Sequence, residues 1–299
     1  MLNAATSVSI NLTQDELVWL LATFRLPPMI GMNERYFPDG LSDQTMQARL
    51  ASGASSLRAR ELVSSADTQI NVDTLLMGIM GAFAFAQGTV VLTVTTTVPE
   101  APTIWVYYQS AALTIEHTMT APNVHRFTVV AQAAALTDIL MGHLTPLAAY
   151  GWSMPPQAVP AQALGEAIQL AKGDPTQDKP SDPASAESRL LAMGMDSYAA
   201  AAFVHLMTTQ TGGASLAILR RDTAAPSDPT LGTPAERQFS SAQSVILIAA
   251  PDATAQLTTW GADDMGVSYS AIAFLTPDEL RADLTARLRI DAMREATTA

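Results

Sequence analysis

The sequence predicts an α+β fold: duplicated lobes of mainly antiparallel sheet flanked by helices, related by a pseudo-twofold axis. Three observations carry this. Successive strand-forming segments are joined by turns too short for a crossover, so neighbours must run antiparallel. Helical periodicity gathers before and after each run of strands instead of alternating with single strands. The order strand, turn, strand, turn, strand, helix over residues 104–144 returns over residues 245–288, and each copy follows an isolated strand starting just after Gly88 or Gly213. The expected lobes are residues 1–150 and 151–299, with a flexible linker at 173–185.

The first helix is announced by Thr13 and Glu16 in capping-box spacing, with Leu12 and Leu17 as the hydrophobic staple. Leu17, Leu20, Leu21 and Phe24 form its apolar stripe, and Pro27-Pro28 ends it. Helices are expected over residues 42–63 and 72–86, the latter apolar on nearly all sides and so central. Strands follow at 89–98, 103–109, 113–120 and 123–130, then an Ala-rich helix at 132–144. In the second half, helices at 161–171 and 184–210 precede strands at 214–221, 244–249, 253–260 and 265–274. The last helix starts at Thr276, with Glu279 completing a second capping box, Pro277 at its first position and Leu275 with Leu280 as staple. Asp283 and Arg287 stand four apart on its solvent side. Residues 173–185, rich in Asp and Pro, read as the linker, and 223–236 as a second Pro-rich insertion.

Composition narrows the function. The chain has 299 residues, of which 48% are hydrophobic and 15% charged. Its mean hydropathy is +0.17, an apolar surplus that calls for extensive burial or an interaction surface. A net charge of −12 offers no footprint for nucleic acid or an anionic membrane. Without cysteine there are no disulfides, thiolate metal sites or thiol nucleophiles. The first residues show no basic start followed by an apolar core, so no secretory signal is read and the cytoplasm is expected. The charge-free run at 74–99 breaks at Gln87-Gly88 and then alternates as a strand, against a membrane span.

No phosphate loop, dinucleotide turn, zincin helix or nucleophile elbow occurs, and no catalytic residue, metal site or cofactor is expected. His117 and His125 are placed to approach one another on one face of a hairpin, Glu116 pointing to the other. Two imidazoles alone make an incomplete zinc site and read first as a structural pair. Asp263-Asp264 reads as hairpin-turn chemistry, Arg220-Arg221 and Arg281, Arg287 and Arg289 as charges offsetting local acids. Several of the 14 methionines, among them Met77, Met80, Met193, Met195 and Met207, fall on helices, where thioethers fill irregular contacts. Thr114, Glu116, Thr118 and Thr120, and Thr254, Gln256, Thr258 and Trp260, oppose apolar positions and predict one greasy and one Thr-rich face per lobe. With the greasy face under helices, the open face supplies the candidate partner-binding residues Thr114, Thr118, Gln256, Thr258 and Trp260.

LTQDELVWLL at residues 12–21, LRARELV at 57–63, VDTLL at 72–76, VHRFTVV at 124–130 and the repeated lobe order together resemble the EspG family of cytoplasmic chaperones of type VII (ESX) secretion. The resemblance implies paired lobes sharing a sheet flanked by helical bundles, and binding of an aggregation-prone secreted helical partner of PE/PPE type. The expected function is therefore a non-enzymatic cytoplasmic binding protein or secretion chaperone. The alternatives are an enzyme or small-molecule binder with a site between the lobes near His117 and His125, and a self-associating structural subunit in which Met-rich helices and Thr-rich strands serve a homodimer.

Overall fold

A computed structural model describes residues 8–26, 28–29, 42–66, 69–96, 101–111, 113–130, 135–147, 153–173, 179–221, 239–262 and 266–288. The insertion at 223–236, Asp263-Asp264 and Arg289 lie outside them. The architecture is α+β, a ten-stranded sheet flanked by helices plus a two-stranded hairpin. The chain divides into two compact units: residues 1–91, 104–136 and 218–242, and residues 92–103, 137–217 and 243–299. The expected lobes were contiguous; these units interleave segments from both halves.

The first unit opens with β1 (Ser9–Thr13), which the sequence reading missed, paired antiparallel with β7 (Val124–Val130). Thr13 then caps α1 (Gln14–Phe24): its backbone N–H donates to Glu16 Oε2 at 2.7 Å and its Oγ1 accepts the Glu16 N–H at 3.3 Å. The helix stops at Arg25, in the left-handed region at φ 54°. Ser42 caps α2 (Asp43–Ala59), which ends four residues before the expected limit. Glu61 there takes φ 58°, turning the chain into the hairpin of β2 (Val63–Ala66) and β3 (Gln69–Val72). The third helix, α3 (Thr74–Ala84), is capped by Asp73. It is not apolar-buried all round: Leu76, Ile79, Met80 and Phe83 enter the core, but Met77 and Phe85 project into solvent.

Strands β4 (Gly88–Thr95), β5 (Thr103–Gln109) and β6 (Thr114–Ala121) follow as expected, and β6 turns into β7 through Pro122-Asn123, Asn123 at φ 64°. Val106, Tyr108, Ile115 and Phe127 on one sheet face join Leu12, Leu17, Leu20, Leu57, Leu76 and Phe83 in a single core. The described part of the following helix is α4 (Ala135–Leu144), which from residue 137 on belongs to the second unit.

The second unit contains a further unexpected strand, β8 (Met154–Pro160), antiparallel to β12 (Ser268–Phe274). Its three prolines read as breakers in sequence, yet an edge strand tolerates them because one side of it needs no amide donors. Next comes α5 (Ala161–Lys172). The single long helix expected at 184–210 is two, α6 (Pro183–Ala192) and α7 (Ser197–Thr209). Gly194 at φ 86° breaks them, and Asp196 starts the second by accepting the Tyr198 N–H at 2.9 Å. The end of the expected linker belongs to α6: Asp182 accepts the Ser185 N–H at 3.0 Å and Pro183 takes the first turn. Strands β9 (Gly212–Arg221), β10 (Phe239–Ala249), β11 (Thr254–Ala262) and β12 lead to α8 (Pro277–Leu288), opened by the Thr276–Glu279 capping box. Val159, Leu164, Leu190, Phe203, Met207, Leu257, Ile272 and Phe274 form this unit's core.

The sheet order is β1-β7-β6-β5-β4-β9-β10-β11-β12-β8. Among the described residues each half therefore reads, in chain order, edge strand, three helices, four strands, helix, the first half adding the β2–β3 hairpin. The repeat found in the sequence is longer than it looked, because β1 and β8 are its matching first elements.

Candidate functional site

The histidines meet as the hairpin pattern predicts. His117 pairs with Phe127 across the β6–β7 ladder and Met119 with His125, so the imidazoles are diagonal neighbours on the core face. His117 Nε2 and His125 Nδ1 are 2.9 Å apart, and His125 Nε2 lies 2.5 Å from Gln14 Oε1 at the start of α1. His117 stacks on Phe127 with centroids 4.7 Å apart. Both rings are sealed from solvent, His125 completely. Burial lowers the His117 pKa to about 3, helped by the neighbouring imidazole, and burial lowers that of His125 to about 4. At neutral pH both are uncharged members of a single-file hydrogen-bond chain. Glu116 faces the opposite side, accepting from the Tyr107 hydroxyl at 3.0 Å, and burial with that carboxylate drives the phenol pKa up. Among the described residues no cluster of three or more His, Asp or Glu is placed to hold a metal ion.

A second buried polar centre is Glu16, which in sequence reads only as part of a cap. Beyond the Thr13 amide, its carboxylate accepts from Ser56 Oγ at 2.7 Å and from Arg60 Nη1 at 2.9 Å, joining α1 to α2. The carboxylate is wholly buried while Arg60 remains partly exposed.

The expected open faces are partly closed. Thr114 is buried, and Gln256, also buried, donates to Asp283 Oδ2 on α8 at 2.9 Å. Asp283 in turn accepts from Arg287 Nε at 2.6 Å, so that pair is half-buried against the sheet and not on a solvent face. Thr254 is buried as well, donating to the Leu147 carbonyl at 2.7 Å. The strand alternation was legible; that α8 lies over the polar side was not. Thr118 and Thr258 are half-buried, and the Trp260 side chain lies outside the described residues. Trp260 itself pairs with Tyr269 in the β11–β12 ladder.

Exposed apolar groups occur both on strands, at Ile70, Ile104, Met119 and Ile246, and on or beside helices. Phe85 is 71% exposed and Met77 47% in the first unit, Tyr198 63% and Leu191 41% in the second. The second unit also has an apolar trough of about 430 Å³ lined by Ile168, Met207, Ile246 and Leu257, with Lys172 donating to Gln210 at 2.5 Å on its rim. No helix among the described residues is long and apolar enough to cross a membrane.

No family model matches the chain, and no curated protein matches it in sequence. Among solved structures it is similar to the Mycobacterium tuberculosis type VII secretion system chaperone EspG5, solved in complex with a PE25-PPE41 dimer. The likeness has a TM-score of 0.58 at 12% sequence identity and covers 92% of this chain and 94% of that one. It is a likeness of fold, extending over nearly the whole of both chains.

Proposed function

We propose that this chain is a non-catalytic, cytoplasmic binding protein that shields an aggregation-prone helical partner of the PE/PPE kind, as a chaperone of type VII secretion. The observation that carries this reading is the near end-to-end likeness of fold to a chaperone whose structure holds a PE–PPE dimer. Exposed Met77 and Tyr198 on helices and Phe85 at the end of α3 support it, because large apolar side chains left in water are the usual anchors of a protein interface. Covering the part of each that remains exposed contributes roughly 1–2 kcal/mol. The two histidines support no competing chemistry: neutral, buried and committed to each other and to Gln14, they have no reach toward a substrate. Thr118 and Thr258 keep some surface for a partner, whereas Thr114 and Gln256 could take part only after a rearrangement.

The test is reconstitution. Purified chain is mixed with a purified PE–PPE heterodimer from the same genome, and the mixture is followed by size-exclusion chromatography with light scattering. A stable ternary complex, with the partner kept soluble on heating, is the expected result. Separate elution from every such pair, or self-association that excludes them, overturns the reading.

A further inference from the structure

A cavity of about 330 Å³ lies in the first unit where α1 begins, bordered by Thr13, Gln14, Asp15, Arg49, Asn123 and Val124. Two nitrogen donors on its lining have no hydrogen-bond partner although their atoms are buried: Gln14 Nε2 and Arg49 Nη1. Gln14 is itself 4% exposed. Buried donors without acceptors are rare in folded proteins, and two on one cavity wall call for a common acceptor.

The buried histidines decide which end of the Gln14 amide faces the cavity. With His125 Nε2–H donating to Gln14 Oε1, His125 Nδ1 accepts from His117 Nε2–H, and His117 Nδ1 is left as a bare lone pair. Turning the amide over reverses every donor in the file and puts a hydrogen on His117 Nδ1, buried with no acceptor. An orphaned N–H is the costlier of the two, so the carbonyl belongs to the histidines and the NH2 to the cavity. The start of α1 adds the positive end of a helix dipole.

We propose that this cavity binds a carboxylate, held between the Gln14 amide and the Arg49 guanidinium. A single carboxylate suits it better than a phosphate because Arg49 and Asp15 together give the lining residues no net formal charge with which to meet a dianion. The source of the carboxylate is a small acid, an acidic side chain or a chain terminus, and all three present the same two oxygens to the same two donors.

The experiment follows the Gln14 and Arg49 side-chain N–H signals of the full chain by NMR during titration with acetate and with its neutral analogue acetamide. Saturable shifts with acetate and none with acetamide are expected. N-acetylglycylglycine and the α-amide of N-acetylaspartic acid then separate the sources: tighter binding than acetate by the first marks a chain terminus, by the second a side chain, and by neither a small acid. The substitution Arg49→Gln is expected to weaken acetate about tenfold, the loss of one charge-assisted hydrogen bond. Gln14→Leu deprives His125 of its acceptor and risks the fold, so Asp15→Asn serves as the second variant; it keeps both donors and is expected to tighten acetate severalfold. Equal shifts with acetamide, shifts that do not saturate, or unchanged acetate binding in folded Arg49→Gln overturns the proposal.

Discussion

Gly53 of α2 lies against the backbone carbonyl of Asp15 in α1: a methyl group added at position 53 would stand 2.2 Å from that oxygen and 2.7 Å from its carbon. The obstacle is main chain and cannot rotate away. Gly53→Ala is therefore expected to push the two helices apart and to cost about 2–3 kcal/mol, despite alanine's better helix propensity. Urea unfolding measures this, and a gain of stability would show that the helices do not cross as closely as described.

The histidine file makes stability depend on pH. Both native pKa values lie below the ordinary 6.5, at about 3 for His117 and about 4 for His125. The unfolded chain therefore takes up protons first as pH falls. The contribution is fully present above about pH 6.5 and is lost progressively as acid carries the solution through the native values, at most on the order of 5–10 kcal/mol in all. His117→Phe preserves the stacked ring against Phe127 and leaves His125 donating to Gln14, so it is expected to keep the fold while flattening the dependence by about one proton between about pH 6.5 and about pH 4. Urea midpoints across that range test it; an unchanged slope in the variant refutes it.

Glu16 collects donors from Thr13, Ser56 and Arg60 in a site closed to water. Glu16→Gln removes the charge that those donors face and leaves an amide NH2 aimed at one of them. The expected loss is about 2–4 kcal/mol, against about 1 kcal/mol for Ser56→Ala. Chemical denaturation of both variants checks the order, and equal losses would place the centre elsewhere.

Gly194 separates α6 from α7 in a left-handed conformation, with open space where a side chain would go. Gly194→Ala is expected to destabilise by about 1 kcal/mol through backbone strain alone. Helix content by circular dichroism should stay constant, since Asp196 still starts α7; a rise would mean that the helices had fused.

Phe85 gives nothing to the core, so Phe85→Ser should leave stability within about 0.5 kcal/mol. If the proposed partner covers α3, the same change weakens the complex tenfold or more by calorimetry. Undiminished affinity would remove α3 from the interface.

What could be read from the sequence was local. Both capping boxes, Thr13–Glu16 and Thr276–Glu279, and the β5–β6–β7 meander are written within a few residues of chain. The edge strands escaped because their partners are distant: Ser9 pairs with Thr128, and Pro160 with Tyr269. The break at Gly194 was hidden by Met193 and Met195, which prolong the apolar periodicity, although Asp196 as an N-cap could have revealed it. The histidine approach was legible as hairpin spacing, but its third member, Gln14, joins from 111 residues away. Polar alternation on β11 reads as exposure because nothing in the strand itself announces that Asp283 will arrive to meet Gln256.

Three of the seven residues in β8 are prolines, and β8 stands last in the sheet order. A foreign strand sliding up to that border would find gaps where amide hydrogens should be, and could not zip along it. A protein proposed to handle sticky cargo thus carries, on this margin, a built-in refusal to seed fibres of its own.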